Sequence, residues 1–427
     1  MTPLARLLVA SQFAFNIGFF AVLPYLADHL GGALGLGGAM VGFVLGLRTF
    51  SQQGLFVVGG ALTDHYGPRP VALVGCALRV AGFVWLAFAA SPWSVIGAVV
   101  TVGFAAALFS PAVESEIARE ALRVERAGGY RRTRTLARFS AGGQAGALLG
   151  PVLGSLLLYG GGAGHFRTSC LAGAGVFLLV LAAHARLLPH TAERAARTEQ
   201  GDAGTEGGRA GAEGHVMAAS EQDRAWRTVL GDRRFLLLAL AYSTYLLAYN
   251  QLYLALPAEL DRATGSQAAL GWLFALSSAV VVVGSAPVER LAAGRLGRPA
   301  MIRAGLLLIS LAFAATAALR ALDGPWAAVS FTLLLTLGQM LVLPATRALL
   351  PDLAGERRLG LATGALSSLS GVVVLAAGAP VGALLEHDGP APWLLLAVVP
   401  LLGLVLVPAQ RPATATAETR PVSLPSM

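Results

Sequence analysis

The chain has 427 residues, of which 56% are hydrophobic and 13% charged, and its mean hydropathy is +0.67. That composition excludes an ordinary soluble globular protein. The net charge of +8 does not imply a nucleic-acid partner, because the basic residues stand in loops between apolar runs, where membrane topology accounts for them. Twelve runs of about 18–27 residues are each long enough to cross a hydrocarbon layer roughly 30 Å thick. In chain order they are 4–26, 38–62, 70–90, 93–115, 134–159, 166–188, 234–257, 268–291, 299–320, 325–347, 359–385 and 391–409.

All 31 basic residues are arginine. They cluster in alternate loops: Arg69 after the second run, Arg119 to Arg134 after the fourth, Arg194 to Arg234 after the sixth, Arg295 after the eighth, and Arg357 with Arg358 after the tenth. The intervening loops carry almost none. Both termini are therefore predicted to be cytoplasmic, in a multi-pass protein of the cytoplasmic (inner) membrane. Cys76 and Cys170 lie in separate apolar runs, so no structural disulfide is expected. No cleavable signal peptide is expected at the first run, which has no small-residue cleavage site.

The longest break, 189–233, contains a Gly-, Ala- and Glu-rich segment at 197–223 with no apolar period, which reads as a cytoplasmic linker. It divides the chain into 1–188 and 234–409, each with six spans, followed by a cytoplasmic tail at 410–427. The halves repeat weakly at an offset of about 229 residues. Gly42-Phe43 answers Gly271-Trp272, Arg69-Pro70 answers Arg298-Pro299, and Pro151 answers Pro380. The stretch 104–111 loosely echoes 338–344.

The knuckle between the second and third runs reads Gly60-Ala-Leu-Thr-Asp64-His-Tyr-Gly67-Pro-Arg69. It resembles the loop 2-3 motif of the major facilitator superfamily, G-x-x-x-D-R/K-x-G-x-R-R/K, with His65 and Pro70 departing from it. The wider stretch from Gly46 to Phe83 resembles the MdtH-like multidrug-efflux branch. The resemblance implies an all-α membrane protein of twelve transmembrane helices in two pseudo-symmetric six-helix bundles, with substrate held between them near the midplane. It also implies that Gly60, Asp64, Gly67 and Arg69 form a conformational latch, with Gly60 for close helix approach and the N-terminus of span 11, around Gly360, as partner. A solvated turn with an ordinary loop charge is the alternative. Arg69 could also be received by Glu116 or Glu120.

Gly146, Gly150, Pro151 and Gly154 in span 5 resemble the superfamily's antiporter motif, with Ser155 in place of its last glycine. Small residues at this spacing also serve plain helix packing. Arg48 lies near the middle of span 2, one turn before Gln52, and is either a cavity cation that binds substrate or a structural arginine. Arg79 in span 3 is a weaker case. No carboxylate occupies the centre of a span. Glu114 is the first candidate for proton coupling and Asp28 the second; Glu114 could instead pair with Arg119 or Arg138. The superfamily's arginine motif of span 4 is absent from 101–110. Asn16, Phe19 and Phe20 of span 1, Gln339 of span 10, and Tyr242, Tyr245, Tyr249, Asn250 and Tyr253 of span 7 are the expected cavity wall, along with Arg48 and Gln52. The four tyrosines recur at three- and four-residue spacing and make one stripe. A tyrosine wall suits amphipathic, partly aromatic ligands, although the hydroxyls could equally pack between helices.

No catalytic set appears, the seven histidines have no metal spacing, and without lysine there is no phosphate-cradling loop. The expectation is a monomeric secondary transporter, not an enzyme, with no cofactor and the proton gradient as energy source. Its partners are small-molecule substrate, protons and the lipid bilayer. Export of drug-like or natural-product molecules is the first reading. An uptake symporter for a small metabolite, its anion held by Arg48, and a non-transporting sensor on the same scaffold are the others.

Overall fold

The computed structural model describes residues 1–158, 163–187, 228–295, 297–354 and 358–409. The tail at 410–427 and the linker up to 227 lie outside them. The described residues form helices joined by short turns, with no strand among them. Nine helices are long and apolar enough to cross a membrane: α1 Pro3–Ala33, α2 Gly38–Tyr66, α3 Pro68–Phe88, α4 Pro92–Arg126, α6 Gly164–Leu187, α7 Arg233–Thr264, α9 Arg298–Leu319, α10 Trp326–Ala354 and α11 Leu359–Leu385. Two more, α8 Leu270–Arg295 and α12 Ala391–Leu406, contain shorter apolar stretches. The remaining helix, α5 Arg132–Leu158, is diluted by three arginines at its start and by its glycines. Helices run through the described parts of the expected segments, and length and hydropathy alone qualify nine.

Start signals are local. Pro3, Pro68, Pro92, Pro299 and Pro392 stand in first turns, where a missing N–H costs nothing. Thr2, Ser91 and Asp232 cap α1, α4 and α7 by accepting backbone N–H bonds. Gly67 joins α2 to α3 at φ 85°, a left-handed conformation that glycine adopts without penalty. Several helices outrun the apolar segments that announced them. Helix α4 continues through Pro111 to Arg126, and α7 through Pro257 to Thr264.

The same pairings recur in each half. Helix α1 packs on α5 as α7 does on α11; α3 packs on α4 and α6 as α9 does on α10 and α12; α2 packs on α4 as α8 does on α10. The halves meet through α2 on α11 and, equivalently, α8 on α5, while α7 also touches α1 and α2. Both crossings are made by glycine. A Cβ on Gly42 would run into the Gly378 carbonyl, and one on Gly271 into the carbonyl of Pro151. The repeat visible in the sequence at Gly42/Gly271 and Pro151/Pro380 therefore marks the two seams between the halves.

Candidate functional site: the interface between the halves

Helix α2 supplies the most unusual side chain. Arg48 is 7% exposed, and directly after it the helix widens into a π-turn at Phe50–Gly54. Such a turn re-aims side chains and often marks a functional segment. Arg48 Nη2 donates to Gln52 Oε1 at 2.7 Å, while its guanidinium lies 5.2 Å from the Phe19 ring and 5.3 Å from the Tyr253 ring. Phe19 belongs to the first half and Tyr253 to the second, so one cation contacts both. Beside it, Thr49 Oγ1 donates to Asn250 Oδ1 at 2.9 Å across the same seam. No carboxylate pairs with Arg48 among the described residues.

Arg79 is 1% exposed and equally unpaired with acid. It donates to the Val102 carbonyl at 2.8 Å and lies within 6 Å of the rings of Phe15, Phe19, Phe83 and Phe177. Ring quadrupoles stand in for a counter-ion at both arginines. Phe19 serves both cations. A small crevice adjoins Arg48, lined by Phe19, Leu23, Phe83 and Val102 among others.

The tyrosine stripe is a continuous ladder. Successive ring centroids from Tyr242 through Tyr245 and Tyr249 to Tyr253 lie 5.3, 6.1 and 6.0 Å apart. Its faces differ in access. Tyr242 and Tyr249 are half-buried, as are Asn16, Phe20, Gln52 and Gln339; Phe19, Arg48, Tyr245, Asn250 and Tyr253 are buried in this conformation. The wall expected from sequence therefore divides into a reachable and an enclosed set. Asn16 is turned towards α5, donating to the Gly143 carbonyl at 2.8 Å.

Glu114 is exposed, and the charge that acts on it is that of Arg347 of α10, also exposed. Arg347 also acts electrostatically on Tyr242 and Tyr245, the first two rings of the tyrosine ladder. Glu114 follows Pro111 by three residues in α4, and Arg347 follows Pro344 by three in the equivalent helix α10. Sequence reading missed Arg347, although the echo of 104–111 in 338–344 ends one turn before it.

Asp28, the second proton candidate, lies far from Glu114, at the end of the molecule opposite the termini. Its Oδ1 accepts from Gln267 Nε2 at 3.0 Å, linking α1 to the turn before α8. Tyr25 donates to the Pro151 carbonyl at 2.7 Å nearby.

The latch residues are only partly engaged. Asp64 is exposed, without a hydrogen bond or ion pair among the described residues, and a Cβ on Gly360 would meet nothing within 4 Å. Arg69 Nη2 donates to the Ala185 carbonyl of α6 at 2.9 Å; Glu120 instead accepts from Thr2 and pairs with Arg123. Glu116 is buried. Gly60 makes no close approach, since a Cβ there would meet nothing within 4 Å. The neighbouring Gly59 does, against the Ala107 carbonyl of α4. Gly146, Gly150 and Gly154 seat α5 on the backbone of α1 at Phe13, Ile17 and Ala21.

The Major Facilitator Superfamily model matches residues 8–258 and 238–426. The chain belongs to the Major Facilitator Superfamily. Relatives within it include an uncharacterized MFS-type transporter of Mycobacterium tuberculosis strain H37Rv, 36% identical over 393 residues, covering 90% of this chain and 86% of that protein. The multidrug resistance protein MdtH of Klebsiella pneumoniae is 31% identical over 398 residues, covering 90% and 88%. MdtH of Escherichia coli O157:H7 is 28% identical with the same coverage. Among solved structures, a POT family transporter in complex with a thioalcohol-conjugated peptide superposes with a TM-score of 0.74 at 13% identity, covering 94% of this chain and 95% of the other. The nucleoside transporter NupG gives 0.73 at 13% identity, covering 96% and 100%. At such identity these two establish the superfamily fold alone. The chain is a multi-pass membrane protein of a transporter family, as the knuckle and the charge pattern led one to expect.

Proposed function

We propose that this superfamily member is a proton-coupled antiporter that exports amphipathic, drug-like or natural-product molecules by alternating access. The observation that carries the reading is that the Arg347 charge acts on both Glu114 and Tyr242, the first ring of the tyrosine ladder. Ionised Glu114 can face Arg347 or receive a substrate cation; protonated, it does neither. Proton and substrate then compete for one group, which is the linkage that antiport requires. Tyr242 and Tyr249 offer the half-buried aromatic surface that an amphipathic body would lie on. The MdtH relatives, named for multidrug resistance, support the substrate class. The proton gradient is the energy source, and the termini side is the cytoplasmic one.

The test is movement of cationic, neutral and anionic lipophilic dyes in proteoliposomes under an imposed pH gradient. Cations or neutrals should move with wild type, and Glu114→Gln should abolish the gradient dependence while Asp28→Asn retains it. A second reading rests on Arg48 and Arg79, two buried cations without acid partners. Movement of anions alone, lost in Arg48→Ala, would favour an organic-anion transporter and overturn the first reading.

A further inference from the structure

The seam between α2 and α11 ends differently at its two extremities. At the end away from the termini the helices touch backbone to backbone: a Cβ on Gly38 would meet the Gly382 carbonyl, and one on Gly42 that of Gly378. There the first turn of α2 has no acidic residue, and its N-cap is Gly37, which has no side chain to accept the free N–H groups. The other half supplies the acceptor. Glu386, the C-cap of α11, accepts a hydrogen bond from the Gly38 N–H and lies over Gly37 as well. A carboxylate at this position also meets the positive end of the helix dipole.

The two helices run antiparallel, so the arrangement has a counterpart at the termini side. Helix α11 begins at Leu359 behind Arg358, again with no side-chain cap and no acid in its first turn. Asp64, two residues from the C-terminus of α2, is the matching carboxylate. In this conformation it has no bonded partner among the described residues, and Gly360 faces open space. The last close contacts on this side are Ser368 Oγ donating to the Gly54 carbonyl at 2.7 Å and Gly364 against Val57. Each helix thus carries an acid near its C-terminus and an uncapped N-terminus, and only the far-side acid is seated.

We infer that Glu386 is the outer latch of the transporter: a carboxylate from one half that caps α2 of the other, and that is seated when Asp64 is free and released when Asp64 seats on α11. Rocking of the halves cannot leave both N-termini capped, because closing one end of the antiparallel seam parts the other. The acid at each end therefore biases the equilibrium towards closure at its own end. Glu386 is exposed, so its bias is modest and screened by salt. The inference rests on the alternating-access part of the proposed function and not on its substrate or coupling.

The experiment is pulsed-dipolar distance measurement on the full chain in proteoliposomes. One spin-label pair sits at Ala33→Cys and Ser266→Cys on the far side, another at Arg131→Cys and Ala348→Cys on the termini side. All four positions are exposed, whereas native Cys76 and Cys170 are buried. Glu386→Gln keeps the shape and removes the charge. It should lower the ratio of far-side-closed to far-side-open molecules about two- to fivefold, the usual scale of an exposed charge at a helix terminus, and shorten the termini-side distance. Asp64→Asn should move both distances the opposite way, and the double variant should return near wild type. Unchanged distributions in Glu386→Gln, or shifts in the same direction for both single variants, would overturn the latch. Glu386→Asp, which keeps the charge on a shorter arm, should fall between wild type and Glu386→Gln; a response equal to that of Glu386→Gln would also count against it. Dye transport by wild type in the same vesicles keeps the two ideas apart. If distances respond but no dye moves, the exporter reading fails and the latch stands.

Discussion

Arg48 and Arg79 are the same residue type, both buried without acid, yet their surroundings assign them different work. Arg79 is enclosed by four phenylalanines of its own half, and its guanidinium satisfies the Val102 carbonyl. Its long stem is packing material as much as charge carrier. Arg79→Ala should therefore destabilise the protein by about 2–4 kcal/mol through the void it leaves. Arg79→Met keeps most of the volume and should cost less than about 1.5 kcal/mol. Thermal unfolding in detergent would separate the two; equal losses would mean that charge, and not packing, is what the site requires. Arg48 instead reaches from Phe19 and Gln52 in one half to Tyr253 in the other. Arg48→Met should leave the unfolding temperature within a few degrees of wild type but slow transport about tenfold or more, because a contact that holds the halves in one state is gone. A variant that unfolds early while its folded fraction transports normally would make Arg48 structural, like Arg79.

The helices turn on where glycine meets backbone. Gly42 of α2 lies against the Gly378 carbonyl, so Gly42→Ala forces the two halves apart at a backbone-to-backbone crossing. Overpacking of this kind costs about 1–3 kcal/mol, charged here to one conformation and not to the fold, so transport should fall about tenfold or more while expression is kept. Gly60→Ala is the control, since a Cβ there meets nothing within 4 Å and the helix gains from losing a flexible residue. Transport assays on both variants at matched protein levels decide it, and a loss in Gly60→Ala would restore that glycine to the latch. These positions also mark how far the sequence could be read. Span positions, the knuckle and the repeat at Gly42/Gly271 were legible because hydropathy and glycine spacing are local properties of the chain. Which of Gly59 and Gly60 faced α4 was not, since adjacent residues on a helix point about 100° apart and only the neighbour decides. Glu386 was passed over for a related reason. It stands in a loop, and nothing local says that its partner is an N–H group almost 350 residues away. Arg347 was missed at a span boundary, because α10 continues beyond its apolar run.

At the scale of the molecule, the helix pairings are symmetric but the charges are not. Equivalent helices α4 and α10 carry Glu114 and Arg347 at matching distances from Pro111 and Pro344, so the repeat sets opposite charges at corresponding places in the two halves. The loop arginines are asymmetric in the other direction, along the membrane normal. Arg119, Arg123, Arg126, Arg131, Arg132 and Arg134 crowd the end of α4 and start of α5, on the side that holds the termini. The turn between α2 and α3, with Arg69, lies on that side too. The count favours the same side in both halves, so retention of arginine on the cytoplasmic face predicts one orientation for the whole protein. The expected outcome is that a fluorescent-protein fusion after Pro408 is bright while an alkaline phosphatase fusion there is inactive, since the phosphatase matures only outside the cytoplasm. The reverse pattern should hold for phosphatase fused after Gly35 in the turn between α1 and α2. Active phosphatase at the C-terminus would invert the molecule, placing Asp64 outside and Glu386 inside. The seam would then still be a pair of opposed latches, but an exporter driven by inward proton flow would have to take its proton from the other side of Glu114.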